Sequence, residues 1–259
     1  MTASEIISYM ESLRNQEQRQ ILMRFFKTGR GEYGEGDEFL GLKVPQTRQV
    51  VKLVANDTPL DEALKLLESP WHEVRLCGLL LMVGRFERLS TKKLIDDEGA
   101  ILRRDELVRL YLDHAERANN WDLVDLSAPK ILGHWLTLPT HLEGGKGPSL
   151  ARSFKRSMLD ALATSPNLWR QRISMVCTMY PSHEGDPAWC QRYAAMHLAH
   201  PHDLMHKAVG WMLREMGKHC GMDVLREFLQ LHVGEMHRTT LRYAIERMSE
   251  GERQEWMLR

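Results

Sequence analysis

The sequence contains no long uncharged apolar run, no closely paired cysteines and no dominant sign of charge. Nothing approaches the eighteen or more apolar residues of a membrane-spanning helix. The opening MTASEIISYMESL carries acidic residues and lacks a basic segment followed by an apolar core, so no secretory leader is expected. The four cysteines, Cys77, Cys177, Cys190 and Cys220, are scattered among apolar neighbours, a pattern of buried free thiols in a reducing compartment rather than of disulfides or a zinc site. Lys+Arg and Asp+Glu balance at 35 each, which excludes a charged tail announcing its partner. The balance is uneven along the chain. From Ala151 onward there are 15 basic against 12 acidic residues, against 20 and 23 before it, and most of the twelve histidines lie in the later part. This permits a polyanionic partner without requiring one. The expectation is a soluble, cytoplasmic, monomeric protein without a metal or cofactor.

Sustained strand alternation is also missing, and almost every segment has a 3.6-residue apolar period. Helices are expected over Ser4–Leu13, Gln16–Phe26, from Pro45, from Pro59, from Pro70 through the apolar run LCGLLLMVGRF, over Thr91–Asp97, Ala100–Ala118 and the central stretch, and then from Leu150, Leu168–Tyr180, Pro187–Leu198, Leu204–Lys218, Met222–Leu231 and Thr239–Met248. Proline at a first helical position opens several of these. KTGRGEYGEGDEFLGLKV reads as a glycine-rich turn, and PTHLEGGKGPS as a polar loop. GRGEYGEG lacks the Lys-Ser/Thr of a phosphate-binding loop and follows no strand, which discounts nucleotide binding.

The chain is organised around Asn119–Trp135, NNWDLVDLSAPKILGHW. Asn119 and Asn120 are good capping residues. Trp121 and Asp125, four apart, share one helical face, placing a flat ring beside a carboxylate. Asp122 reads as an acidic first-turn residue favoured by the helix dipole and nothing more. Pro129 must disturb the backbone ladder.

Several helices open alike: SPWHEVR at Ser69, NNWDLVD at Asn119, SPNLWRQR at Ser165 and HPHDLMHK at His200. Their spacing falls in the range of HEAT-type helical pairs, which bury their faces by stacking into a curved solenoid with an extended concave surface. The expected fold is therefore all-α: one array of HEAT-like antiparallel helix pairs over residues 1–259 with a basic concave groove. The charged position in these segments is Arg75, Asp125, Arg172 and Lys207 in turn. Three cations suit a phosphate backbone. The single carboxylate either pairs with Arg172 or meets something cationic. His197, His200, His202 and His206 cluster without a glutamate in metalloprotease spacing, so they read as a loop histidine group.

In FLGLKVPQTRQVVK, NNWDLVDLSAPKILG, LWRQRISM and KAVGWMLREMGK, in that order, the chain resembles the bacterial AlkD-like DNA alkylation-repair enzymes, HEAT-repeat DNA glycosylases. The resemblance implies hydrolysis of the N-glycosidic bond of N3- or N7-alkylated purines in double-stranded DNA. It implies catalytic roles for Trp121, Asp125, Arg172 and Trp211, a contact of Tyr33 with the lesion strand, and backbone contacts of Lys207 and Arg214. The chemistry suits these residue types. A cationic alkylpurine departs as a neutral base, so the barrier lies in the oxocarbenium-like sugar. A carboxylate and indole faces stabilise that cation. A non-catalytic HEAT module binding DNA or a protein is the alternative.

Overall fold

Polar caps set the helix starts. Thr2 and Glu5 form a reciprocal capping box at the head of α1 (Ala3–Ser12), and the Asn15 side chain accepts from the Gln18 amide at the head of α2 (Gln16–Phe25). After the glycine-rich turn come α3 (Val44–Val54), with Pro45 in its first turn, α4 (Leu60–Leu67) behind Pro59, and α5 (His72–Leu89). Asp97 caps α6 (Glu98–Asp113), and the Asn120 side chain accepts from the Trp121 amide at the head of α7 (Trp121–Ser127). This computed structural model describes residues 1–142 and 148–259. Much of the expected PTHLEGGKGPS loop lies outside the described residues.

The chain continues through α8 (His134–Leu136), α9 (Pro148–Ala163), α10 (Leu168–Val176), α11 (Met179–His183), α12 (Ala188–His197), α13 (Asp203–Cys220), α14 (Met222–His232), α15 (Arg238–Ala244) and α16 (Glu250–Met257). Among the described residues no strand forms, and the β-type pairing is a bridge between Glu38 and Trp71. No helix among them is long and apolar enough to cross a membrane. The all-α expectation holds. Pro129 does disturb the ladder: residues Pro129–Gly133 take π-helical form, with the Gly133 amide bonding the Ala128 carbonyl at 2.9 Å.

Five helical expectations need correction, among them Thr239–Met248, whose helix ends at Ala244. Thr91–Asp96 is turn rather than helix, because Asp97 is committed to capping α6. Ala100–Ala118 ends its α-helix at Asp113 and closes in a 3₁₀ turn, Ala115–Arg117. Leu168–Tyr180 is split into α10 and α11. The C-terminal α16, capped by Ser249, was not anticipated.

The chain forms two compact units, Met1–Ser127 and Ala128–Arg259. In the first, α5 is buried nearly all round and packs against α3, α4, α6 and α7. Ile6, Met10, Leu40, Leu66 and Val74 are fully buried in the core beside it. Each such side chain contributes about 1.5–3 kcal/mol through removal from water. The second unit repeats the plan with α13, also 18 residues, packed by α10, α11, α12, α14 and α15. Cys77, Cys177 and Cys190 are buried free thiols, and Cys220 is partly exposed.

Candidate active site

α7 is fixed in place by a buried network in the first unit. The Asn120 carbonyl oxygen accepts from the Trp121 amide at 2.9 Å, while its amide nitrogen donates to Asp37 at 3.3 Å. Asp37 Oδ2 lies 2.7 Å from His72 Nδ1, and Asp122 Oδ2 lies 2.9 Å from His72 Nε2. A carboxylate at each ring nitrogen requires both to carry protons, so His72 is an imidazolium. Burial alone would lower its pKa, but the charges and hydrogen bonds of Asp122 and Asp37 win and raise it to about 9. Burial likewise pushes Asp37 upward, and His72 and Arg75 overcome this and hold it below the usual carboxylate range. Asp122 is therefore no mere dipole residue. It is buried, and its Oδ1 finds no hydrogen-bond partner among the described residues.

A second buried acid organises the approach. The Glu73 carboxylate accepts from the amides of Leu40, Gly41 and Leu42 at 2.9, 2.8 and 3.0 Å, holding the FLGL segment against the start of α5. Gly41 sits at φ +91°, and a Cβ there would come within 2.1 Å of the Asn15 carbonyl oxygen. Only glycine satisfies both conditions.

On this base stands an aromatic stack. The His72 ring lies on Phe39 (4.4 Å between centroids), Phe39 on Phe26 (5.1 Å), and Phe26 on Trp121 (5.3 Å, 26° between planes). Phe25 meets Trp121 edge-on at 5.8 Å and is 59% exposed. Trp121 and Asp125 are both half-buried, while Asp122, Leu123 and Val124 between them turn inward. α7 thus carries an indole and a carboxylate on one solvent-reaching stripe. Phe25 was missed from the sequence; the only signal was an unusual Phe-Phe pair closing α2. Tyr33 is half-buried in the glycine-rich segment.

Arg75 does not fit the role expected of it. It is 3% exposed, bridges Asp37 at 2.5 Å and donates to the Ser69 and Pro70 carbonyls at 3.0 and 2.9 Å. A guanidinium spent on internal acceptors cannot offer itself to a phosphate. The structure assigns it to the network instead.

In the second unit Arg172, on α10, is 4% exposed and donates to the Leu204 carbonyl at 2.6 Å in the first turn of α13. The buried guanidinium ties two helices together, and its place inside the unit argues against a grip on phosphate. Lys207 is half-exposed and pairs with Asp203 at 2.7 Å. Arg214 is bound to Glu246 and lies 3.5 Å from Glu215. Trp211 is half-buried on α13, next to Gly210, where a Cβ would come within 2.4 Å of the Thr240 carbonyl oxygen. That close approach of α15 fixes the α13 backbone at the tryptophan. The histidine group is held by protein partners: His197 lies 3.0 Å from Ser174 Oγ, His200 lies 2.8 Å from Gln171, and His202 caps α13. Burial pushes His197 down to about 4.

The profile of the DNA alkylation repair enzyme family matches residues 6–248. The chain belongs to that family. A comparison with curated protein sequences gives no match. Among solved structures, the predicted DNA alkylation repair enzyme from Enterococcus faecalis is similar, with a TM-score of 0.63 and 14% identity over 92% of this chain and 97% of that one. At that identity the likeness concerns the fold.

Proposed function

We propose that this DNA alkylation repair protein is a glycosylase that hydrolyses the N-glycosidic bond of N3- or N7-alkylated purines in duplex DNA. The observation that carries the reading is the shared, solvent-reaching face of Trp121 and Asp125 on a helix whose first turn is clamped from below. An alkylated purine bearing positive charge needs no general acid to leave. Its departure places positive charge on the deoxyribose, and the catalytic demand is for negative charge at C1′. Asp125 meets that demand and can orient or deprotonate the attacking water. Trp121 offers an electron-rich face to the same cation. Phe25, exposed against Trp121, extends the aromatic surface. The rigidity of α7 matters because a carboxylate stabilises a transition state only if it is already aimed before charge develops.

In the second unit, Trp211 is proposed as a DNA-facing aromatic, with Arg172 a positioning residue that anchors the start of α13. Lys207 is the candidate backbone contact there, and Tyr33 in the first unit is the candidate aromatic contact with the lesion strand. Arg214 can serve a phosphate only by leaving Glu246.

Asp125→Asn tests the reading. The variant should keep its melting temperature and its affinity for methylated duplex. It should lose about 10²–10³-fold in the rate of free 7-methylguanine or 3-methyladenine release, as for a removed electrostatic stabiliser. Wild-type binding without any base release would instead favour the non-catalytic DNA-binding module. Full release by Asp125→Asn would remove Asp125 from the mechanism.

A further inference from the structure

The second unit holds a side-chain cluster unconnected with base release. Glu215 and His219 are four apart on α13 and so share a face. His183, the last residue of α11, is packed beside them. His183 Nε2 and His219 Nε2 each lie 3.7 Å from Glu215 Oε2, and the three potential ligand atoms lie within 4.8 Å of one another. The two imidazoles face each other at 3.9 Å between centroids. Spacings of 3.7 Å are too long for hydrogen bonds. They are close to what a shared ion requires. A tetrahedral ion bound at about 2.0–2.1 Å holds its ligand atoms roughly 3.4 Å apart, a few tenths of an ångström inside the two 3.7 Å spacings to Glu215.

We propose that His183, Glu215 and His219 form a binding site for a divalent transition-metal ion of the class that imidazole and carboxylate ligands share, with zinc as the natural probe. Two imidazoles and a carboxylate constitute a known zinc donor set, and with three protein ligands the fourth position stays open to water or an anionic oxygen. The ion has a path in. The His183 and His219 side chains are 38% and 27% exposed, while Glu215, at 11%, forms the floor. A metal takes the neutral imidazole. Two cations also approach Glu215. Arg214 lies 3.5 Å from Oε1, the oxygen turned away from the histidines. Lys218 lies 3.9 Å from Oε2, but its side chain is 43% exposed and long enough to swing into water when an ion arrives. The site would staple α11 to α13 one helical turn beyond Trp211.

The test uses the full-length protein stripped of metal. Zn²⁺ is titrated in competition with a chromophoric chelator, and Co²⁺ is added separately to read coordination from its visible spectrum. The expected result is one equivalent of Zn²⁺ and tetrahedral Co²⁺ bands. His183→Gln and His219→Gln should each weaken binding roughly tenfold or more, whereas a His200→Gln/His202→Gln variant should bind as wild type does. Far-UV circular dichroism and metal-free melting of each variant establish that it folds. Should His219→Gln prove unfolded, His183→Gln at an exposed helix end decides alone. No stoichiometric uptake by wild type, uptake that survives His183→Gln, or loss caused by the His200/His202 changes would each overturn the assignment. Base release is not a readout, so failure here leaves the glycosylase reading untouched.

Discussion

His72 is where a single residue reports on the whole first unit. Its folded pKa of about 9 stands above the ordinary 6.5, so its contribution to stability is fully present below about pH 6.5 and is lost as pH rises through about 9. Asp37 works in the opposite sense. Its lowered pKa makes its contribution present above the ordinary carboxylate range and lost as pH falls through the folded value. The urea midpoint should therefore fall on the alkaline side between about pH 6.5 and 9. His72→Gln should be destabilised by about 3–5 kcal/mol, since it strips a buried partner from two carboxylates, and the alkaline slope should flatten. A variant with an unchanged slope would show that His72 is not charged in the fold. This network was only half legible in the sequence. A histidine opening the apolar run HEVRLCGLLLMV is a visible anomaly, but its partners Asp37 and Asp122 are 35 and 50 residues away, and no periodicity links them. Asp122 and Asp125 both sit near the start of an apolar helix. What separates them is the direction of each side chain, which only the fold decides.

Among the elements, the four segments with a common opening do each begin a helix, α5, α7, α10 and α13. Local propensity, caps and proline placement made those starts readable. The burial of their charged positions was not readable. Arg75 and Arg172 face inward while Asp125 and Lys207 keep contact with solvent. Aligned sequence positions say nothing of which neighbouring carbonyl or carboxylate is at hand. Helix ends inside apolar runs were also hidden, as at α10 and α11, where both sides are hydrophobic and only packing selects the break. α13 offers a direct test of element geometry. Gly210→Ala should push its Cβ into the Thr240 carbonyl and the Tyr243 side chain, costing about 1–3 kcal/mol through overpacking. The adjoining Trp211 should report the displacement as a change in emission. An Ala variant with wild-type melting and unshifted tryptophan fluorescence would mean that α15 retreats without cost.

At the scale of the molecule, charge and family agree in a modest way. A neutral chain that handles DNA must do so through local rather than global attraction, and the structure removes Arg75 and Arg172 from the cations it can offer. The thiols carry a last consequence. Burial pushes Cys77 and Cys190 up to about 12 and Cys177 higher still. Thiols so protonated and enclosed are poor nucleophiles. Three of the four sulfurs are thus enclosed, and only Cys220 is partly open to a reagent in solution. Brief treatment with iodoacetamide followed by mass spectrometry should mark Cys220 first and leave the other three unmarked until the chain unfolds.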